Sequence, residues 1–249
     1  MVMPEIQWHL IEGAAGCAHA REHGLVAVVI DALRASATAA MLFDAGATEL
    51  LVVREVAEAH AARAEFNDAL LYGERGGLPP EGFDYGNSPR TVEAARGRRI
   101  IFTSTTGAGR LVDCWGAEAI YMGSPVNATA VARAAARHGK DVVLIPAGLM
   151  TDPRFDAQED WVGAAVVAMQ AGGAIGEGAD TFHVWRQRIE EEGIEALFQS
   201  APHAEKLRRI GLEDDIPFCA RLDITAAVPR AEKRHPLGVI LHNAAAAHT

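Results

Sequence analysis

The sequence predicts an α/β protein, and three observations carry that expectation. Short β-rich apolar runs alternate with Ala-rich helical segments along most of the 249 residues. The stronger runs lead into polar loops, and no composition-biased linker divides the chain. With 49% hydrophobic and 22% charged residues, the composition is that of an ordinary globular protein. A chain of this length buries a substantial core without disulfides. One domain over 1–249 is expected, with a C-terminal subdomain over about 180–249.

The elements follow in order. Residues 25–30 (LVAVVI) form a run apolar on both faces, the mark of a fully buried strand, and 35–45 reads as a helix ended near Gly46. A strand at 49–53 and a helix at 55–66 come next, and 69–72 opens a Gly- and Pro-rich loop reaching Pro89. The next unit has a strand at 99–102, a polar loop at 103–109 and a helix at 110–115. It continues with a strand at 119–122, a helix at 127–138 and a strand at 141–145. A helix at 159–170 ends at Gly172-Gly173. Beyond it lie a charged helix at 185–197, a short helix at 201–210, a compact segment at 213–229 and a fraying tail at 244–249. Residues 28–53 and 100–123 share one plan: strand, polar loop, helix, a Gly-Ala turn and strand. In open parallel sheets, loops beyond the carboxyl ends of strands form the ligand crevice, so those at Asp31, Thr103 and Pro146 should meet at one edge.

Charge and cysteine usage narrow the function. A net charge of −10 excludes a general nucleic-acid binder, although a local pocket of Arg and backbone N–H groups still admits a small anion. Cys17, Cys114 and Cys219 are far apart without metal-ligand spacing, as expected of reduced thiols. No run reaches the roughly 18 apolar residues of a membrane span, and the first residues lack the pattern of a secretory signal. The cytoplasm, with no membrane partner, is the expected setting. Asn127-Ala128-Thr129 fits the glycosylation pattern but carries no weight there.

Several loops hold residues suited to chemistry. Asp31 at a strand end, with Arg34 three residues on, can bind a metal and an anion side by side; Asp31 is equally suited to cap the following helix. Glu74 and Arg75 stand in a Gly-flanked loop, which also fits a solvated turn. Asn87 and Ser88 precede Pro89 in a segment that reads as a plain turn as well. Thr103, Ser104, Thr105, Thr106 and Gly107 give four hydroxyls and a glycine after a buried strand, a poor core but a good cradle for phosphoryl oxygens. A dinucleotide turn is the alternative, yet Gly107-Ala108-Gly109 lacks the third glycine, and no P-loop pattern occurs. Glu159 and Asp160 open a helix, where acids suit the dipole and also supply oxygen ligands for magnesium. The histidines show no zinc spacing; His183 and His203 could stand near the site, with surface or core roles the favoured reading.

Taken in order, these motifs resemble the 2-phosphosulfolactate phosphatase family. The resemblance rests on Ile30-Asp31-x-Leu33-Arg34-Ala35, Gly73-Glu74-Arg75-Gly76, Gly82-Phe83-Asp84-x-Gly86-Asn87-Ser88-Pro89, the Thr-rich loop, Asn127-Ala128, Ala147-Gly148 and Glu159-Asp160. His203, Gly211, Asp215-Ile216, Cys219-Ala220, Asp223 and Val228-Pro229 extend it. It implies a three-layer α/β/α sandwich and Mg²⁺-dependent hydrolysis of 2-phosphosulfolactate to 3-sulfolactate, a step toward coenzyme M. Under it, Asp31, Glu74, Glu159 and Asp160 are the metal candidates. Asp31, Arg34, Glu74, Arg75 and Asp160 are the catalytic candidates, and Asn87, Ser88, residues 103–107 and Asn127 bind a small phosphorylated anion. The chain departs from the family pattern at Thr106, where an Asn is usual, at Pro146, where a Cys is usual, and in a longer loop at 149–158 carrying Asp152-Pro153-Arg154. A non-catalytic anion-binding protein is the competing expectation, and a nucleotide-dependent oxidoreductase a more distant one. A homodimer is left open.

Overall fold

The computed structural model describes residues 5–150, 152 and 155–245; Pro153, Arg154 and the end of the tail lie outside the described residues. The chain opens with β1 (Gln7–Leu10), α1 (Gly13–Glu22), β2 (Val26–Ile30), α2 (Ala35–Asp44), β3 (Glu49–Val53), α3 (Val56–Glu65) and β4 (Leu70–Gly73). It continues through β5 (Arg99–Thr103), α4 (Gly107–Asp113), β6 (Ala119–Met122), α5 (Ala128–Ala136), β7 (Val142–Pro146) and α6 (Gln158–Ala171). It closes with β8 (Ala174–Ile175), α7 (Ala179–Glu192), α8 (Ile194–Ser200), α9 (Pro202–Arg209), α10 (Asp215–Cys219), β9 (Pro229–His235) and β10 (Gly238–Asn243).

Most strands lie within a residue or two of the apolar runs that predict them. The charged helix starts earlier than expected and breaks at Gly193, whose φ of +85° suits glycine, so α8 is separate. The hydroxyl-rich loop is shorter than expected, because α4 begins at Gly107. Alternation of side chains buries both faces of β2: Val26, Val28 and Ile30 enter one apolar core, Ala27 and Val29 another. Helices α5 and α6 cover the first face, and α1, α2 and α4 the second. Ala59 and Ala62 of α3 cover the outer face of β3 and β5. The result is a layered α/β fold with helices on both sides of a large sheet.

The sheet order is β4-β5-β3-β10-β9-β6-β2-β7-β1-β8, and it is mixed rather than parallel throughout. Strands β4, β5 and β3 form one parallel group, and β6, β2, β7, β1 and β8 another. The β9–β10 hairpin joins them through antiparallel pairing with β6 and β3. Both repeat units cross this seam, one by α2 from β2 to β3, the other by α4 from β5 to β6. Strand twist of about 20–25° per step accumulates to roughly 100–125° over the five steps from β5 to β2. The carboxyl ends of β5 and β2 meet although the two ladders run in opposite directions. Gly107, beyond β5, donates its N–H to Asp31, beyond β2, at 3.0 Å.

The seam depends on close backbone approach. A Cβ on Gly238 would lie 2.1 Å from the Val52 carbonyl oxygen across the β10–β3 pairing. Gly238→Ala is therefore expected to destabilise the fold by at least about 2 kcal/mol in denaturant unfolding. Gly24→Ala is the control, since it meets nothing within 4 Å; its left-handed backbone limits the loss to about 1–2 kcal/mol. Equal losses for the two variants would contradict the importance of the seam.

Candidate active site

Three acidic side chains tie the strand-end loops together. Asp31, just past β2, accepts N–H bonds from Ala35 at 3.2 Å and Gly107 at 3.0 Å. A Cβ at position 107 would stand 2.5 Å from Asp31 Oδ2, so only glycine permits the contact. Asp160, in the first turn of α6, accepts from Ala32 at 2.8 Å and Gly148, beyond β7, at 3.1 Å. Glu74, beyond β4, accepts from Thr105 at 2.6 Å and Gly77 at 2.8 Å. Each carboxylate thus satisfies two backbone donors that would otherwise be stranded at a strand or helix end.

Their titration is uneven. Burial pushes the Asp31 carboxyl above its ordinary range against the pull of its two N–H bonds. Asp160 is pushed well above that range by burial, with the charges of Glu159 and Asp31 adding to it. Burial also raises Glu74, but the Thr105 and Gly77 N–H bonds and the Arg34 charge outweigh it and leave the carboxyl lowered. Glu159, 2% exposed, contacts His203 Nδ1 at 3.1 Å through Oε1, while its buried Oε2 has no partner among the described residues.

The basic groups are held just as firmly. Arg34 is buried and follows a cis Leu33–Arg34 peptide. It donates to Asp215 at 2.6 Å and to the Gly77 carbonyl at 2.8 Å. Ser88 donates to the other Asp215 oxygen at 2.7 Å, so the Gly-Phe-Asp-x-Gly-Asn-Ser-Pro segment braces the ion pair from behind. Arg75 turns away, onto the carbonyls of Arg54 and Glu74 and the Thr103 hydroxyl.

These loops enclose a cavity of about 230 Å³. Of the residues singled out from the sequence, Asp31, Arg34, Glu74, Asn87, Thr105, Thr106, Glu159 and Asp160 line it. Arg75, Ser88, Thr103, Ser104, Gly107 and Asn127 lie outside the lining and brace it or serve elsewhere. The Ser104 hydroxyl accepts the Ala108 N–H at 3.0 Å at the start of α4. Asn127 is buried in its own turn, accepting from Ser124 N–H and donating to the Ala227 carbonyl, both at 3.0 Å. Asn87 Oδ1 is buried without a partner among the described residues, and the buried Thr105 hydroxyl lies beside Glu74. Sequence reasoning missed Leu149, Phe155, Pro202 and Lys206, and favoured a surface or core role for His203 over a place near the site; all five line the cavity. One signal existed: Pro202, His203 and Lys206 fall at helical spacing on one face of α9.

The charges at the cavity do not balance. Four carboxylates line it against Arg34, Lys206 and a histidine, and Arg34 is already paired with Asp215. Among the described residues no group of three His, Cys, Asp or Glu makes a ready-made metal cage. The acidic oxygens are nevertheless of the kind magnesium takes, and magnesium commonly uses one or two carboxylates, retained waters and a substrate phosphate.

Comparison with known proteins matches this chain over residues 15–234 to the family model described as 2-phosphosulpholactate phosphatase. A Deinococcus radiodurans protein named "Probable 2-phosphosulfolactate phosphatase" is 39% identical, covering 82% of this chain and 86% of its own. Proteins of the same name from Carboxydothermus hydrogenoformans and Gloeobacter violaceus are 36% and 35% identical, covering 81% and 82% of this chain and 84% and 87% of their own. With its strand-end acids gathered in one cavity and this similarity running through most of its length, the chain belongs to the 2-phosphosulpholactate phosphatase family of phosphoric monoester hydrolases.

Proposed function

We propose that the chain is a magnesium-dependent phosphomonoesterase acting on the phosphate ester of a 2-hydroxy acid, 2-phosphosulfolactate giving 3-sulfolactate and phosphate. The observation that carries this proposal is the excess of buried carboxylate around one cavity, with Glu159 Oε2 left without a partner among the described residues. Buried acids of like charge are costly unless a cation joins them. Asp31, Glu74, Glu159 and Asp160 would hold magnesium. When bound, it neutralises charge on the phosphate and eases attack at phosphorus.

The chain's own groups supply the rest. Arg34 keeps guanidinium donors beyond those given to Asp215 and Gly77, and they bind phosphate oxygens from a fixed position. The Thr105 hydroxyl, buried beside Glu74, and the Thr106 hydroxyl take the remaining oxygens. Leu33, Leu149 and Phe155 give the cavity an apolar wall that limits bulk water. Its volume of about 230 Å³ is below the roughly 300–1,000 Å³ of pockets for drug-sized ligands, which favours a small phosphorylated acid over a dinucleotide.

Phosphate release from 2-phosphosulfolactate, phospholactate and phosphoglycolate, with Mg²⁺ and with a chelator, tests this. Turnover is expected with Mg²⁺ and not with the chelator. Asp31→Asn is expected to lower kcat/KM at least 100-fold, about 2.7 kcal/mol. Turnover of none of these esters, or turnover indifferent to the chelator, would contradict the proposal.

Proton linkage gives a second test. Raised carboxyls at Asp31 and Asp160 hold protons in the metal-free protein at pH values where free aspartates have lost them. A cation must displace those protons, so apparent Mg²⁺ affinity should rise with pH above the ordinary value of about 4, up to tenfold per unit for each proton displaced. Calorimetric titration at pH 5 to 8 checks this, and a flat affinity would count against it.

The Arg34 anchor gives a third. Asp215→Ala leaves a guanidinium that is 3% exposed without its counter-charge. The expected loss is about 3–5 kcal/mol in urea unfolding. A loss under about 1 kcal/mol would show that Asp215 does not fix Arg34.

A further inference from the structure

Lys206 stands apart from the other basic groups at the cavity. Arg34 is committed to Asp215 and the Gly77 carbonyl, and His203 to Glu159. Lys206 is exposed and lines the mouth of the same cavity, and no ion pair or hydrogen bond among the described residues engages it. The neighbouring charges of α9 are engaged elsewhere: Arg208 reaches Gln199 and Glu205, and Arg209 reaches Glu205. Asp31, Glu74 and the Thr105 hydroxyl come from the strand ends and Asp160 from the start of α6, whereas α9 supplies a separate wall.

We propose that Lys206 determines substrate specificity: its ammonium pairs with the acid group of the substrate's alcohol, a carboxylate or sulfonate, while the phosphate sits among the strand-end loops. The site then takes phosphate esters whose alcohol carries a second anion and discriminates against esters without one. Lysine is suited to this, being a point charge on a flexible stem that accepts either anion. Selection comes from pairing the anion with a cation that no side chain of the described residues engages directly, at a partly apolar wall. The proposal rests on the phosphomonoesterase reading for its substrate class.

Lys206→Gln and Lys206→Arg, assayed on three esters, test it. Phospholactate carries only a carboxylate, the phosphate ester of 2-hydroxyethanesulfonate only a sulfonate, and isopropyl phosphate neither. Lys206→Gln is expected to raise KM for at least one acid ester tenfold or more, and to lower its kcat/KM at least tenfold more than that of isopropyl phosphate. Lys206→Arg should restore most of the loss. The ester that suffers identifies the anion read. Equal losses on all three esters, or none, would overturn the proposal. Calorimetric binding of the phosphate-free acids lactate and 3-sulfolactate provides a readout without hydrolysis. The wild-type chain is expected to bind at least one of them, and Lys206→Gln to weaken that binding at least tenfold. No binding by the wild type, or unchanged binding by the variant, would overturn the proposal. A wild type that binds the acids but hydrolyses none of the esters would defeat the phosphatase reading alone.

Discussion

The clasp between buried carboxylates and backbone N–H groups is the interaction on which the rest of this site depends. Asp31, Asp160 and Glu74 each accept two main-chain donors, and in each case at least one comes from another strand-end loop. These bonds stop the ends of β2, β4, β5 and β7 from drifting apart, and they keep the acids in place in a region that desolvates them. The same arrangement that organises the backbone concentrates negative charge. A fold that used neutral caps here would close its loops without gathering that charge.

The basic partners follow from this concentration. Arg34 stays buried because Asp215 and the Gly77 carbonyl satisfy it, and Ser88 fixes Asp215 in turn. The chain from Ser88 to Arg34 therefore links the Pro-terminated turn, the short α10 and the cavity in one network. Arg75 strengthens the frame instead, joining the Glu74 loop to Arg54 and Thr103. Two adjacent residues, Glu74 and Arg75, thus have separate duties: the acid faces the cavity and the base faces the scaffold.

Much of this was legible in the sequence because strand ends are. The apolar runs before Asp31, Thr103 and Pro146 locate the edge where loops meet, and the shared plan of 28–53 and 100–123 marks the two crossings of the seam. The β9–β10 hairpin was not legible, since Pro229–His235 is mostly charged and shows no alternating apolar face. Its place between β3 and β6 makes the sheet mixed, so the loops that meet do not come from one parallel ladder. Side-chain direction was also hidden: nothing in the sequence turns Arg75 outward or Asn127 into its own turn. Lys206 and His203 come from a helix far along the chain, and only their common face on α9 hinted at a shared role.

The central claim is that the clasped carboxylates form one cation and phosphate site. An anomalous difference map from crystals soaked in Mn²⁺ and inorganic phosphate tests it most directly. The account expects one strong peak within ligand distance of oxygens from Asp31, Glu74, Glu159 or Asp160, with phosphate density against Arg34 and Thr105. A map with no peak in that cavity, or with the cation bound elsewhere on the chain, would contradict it.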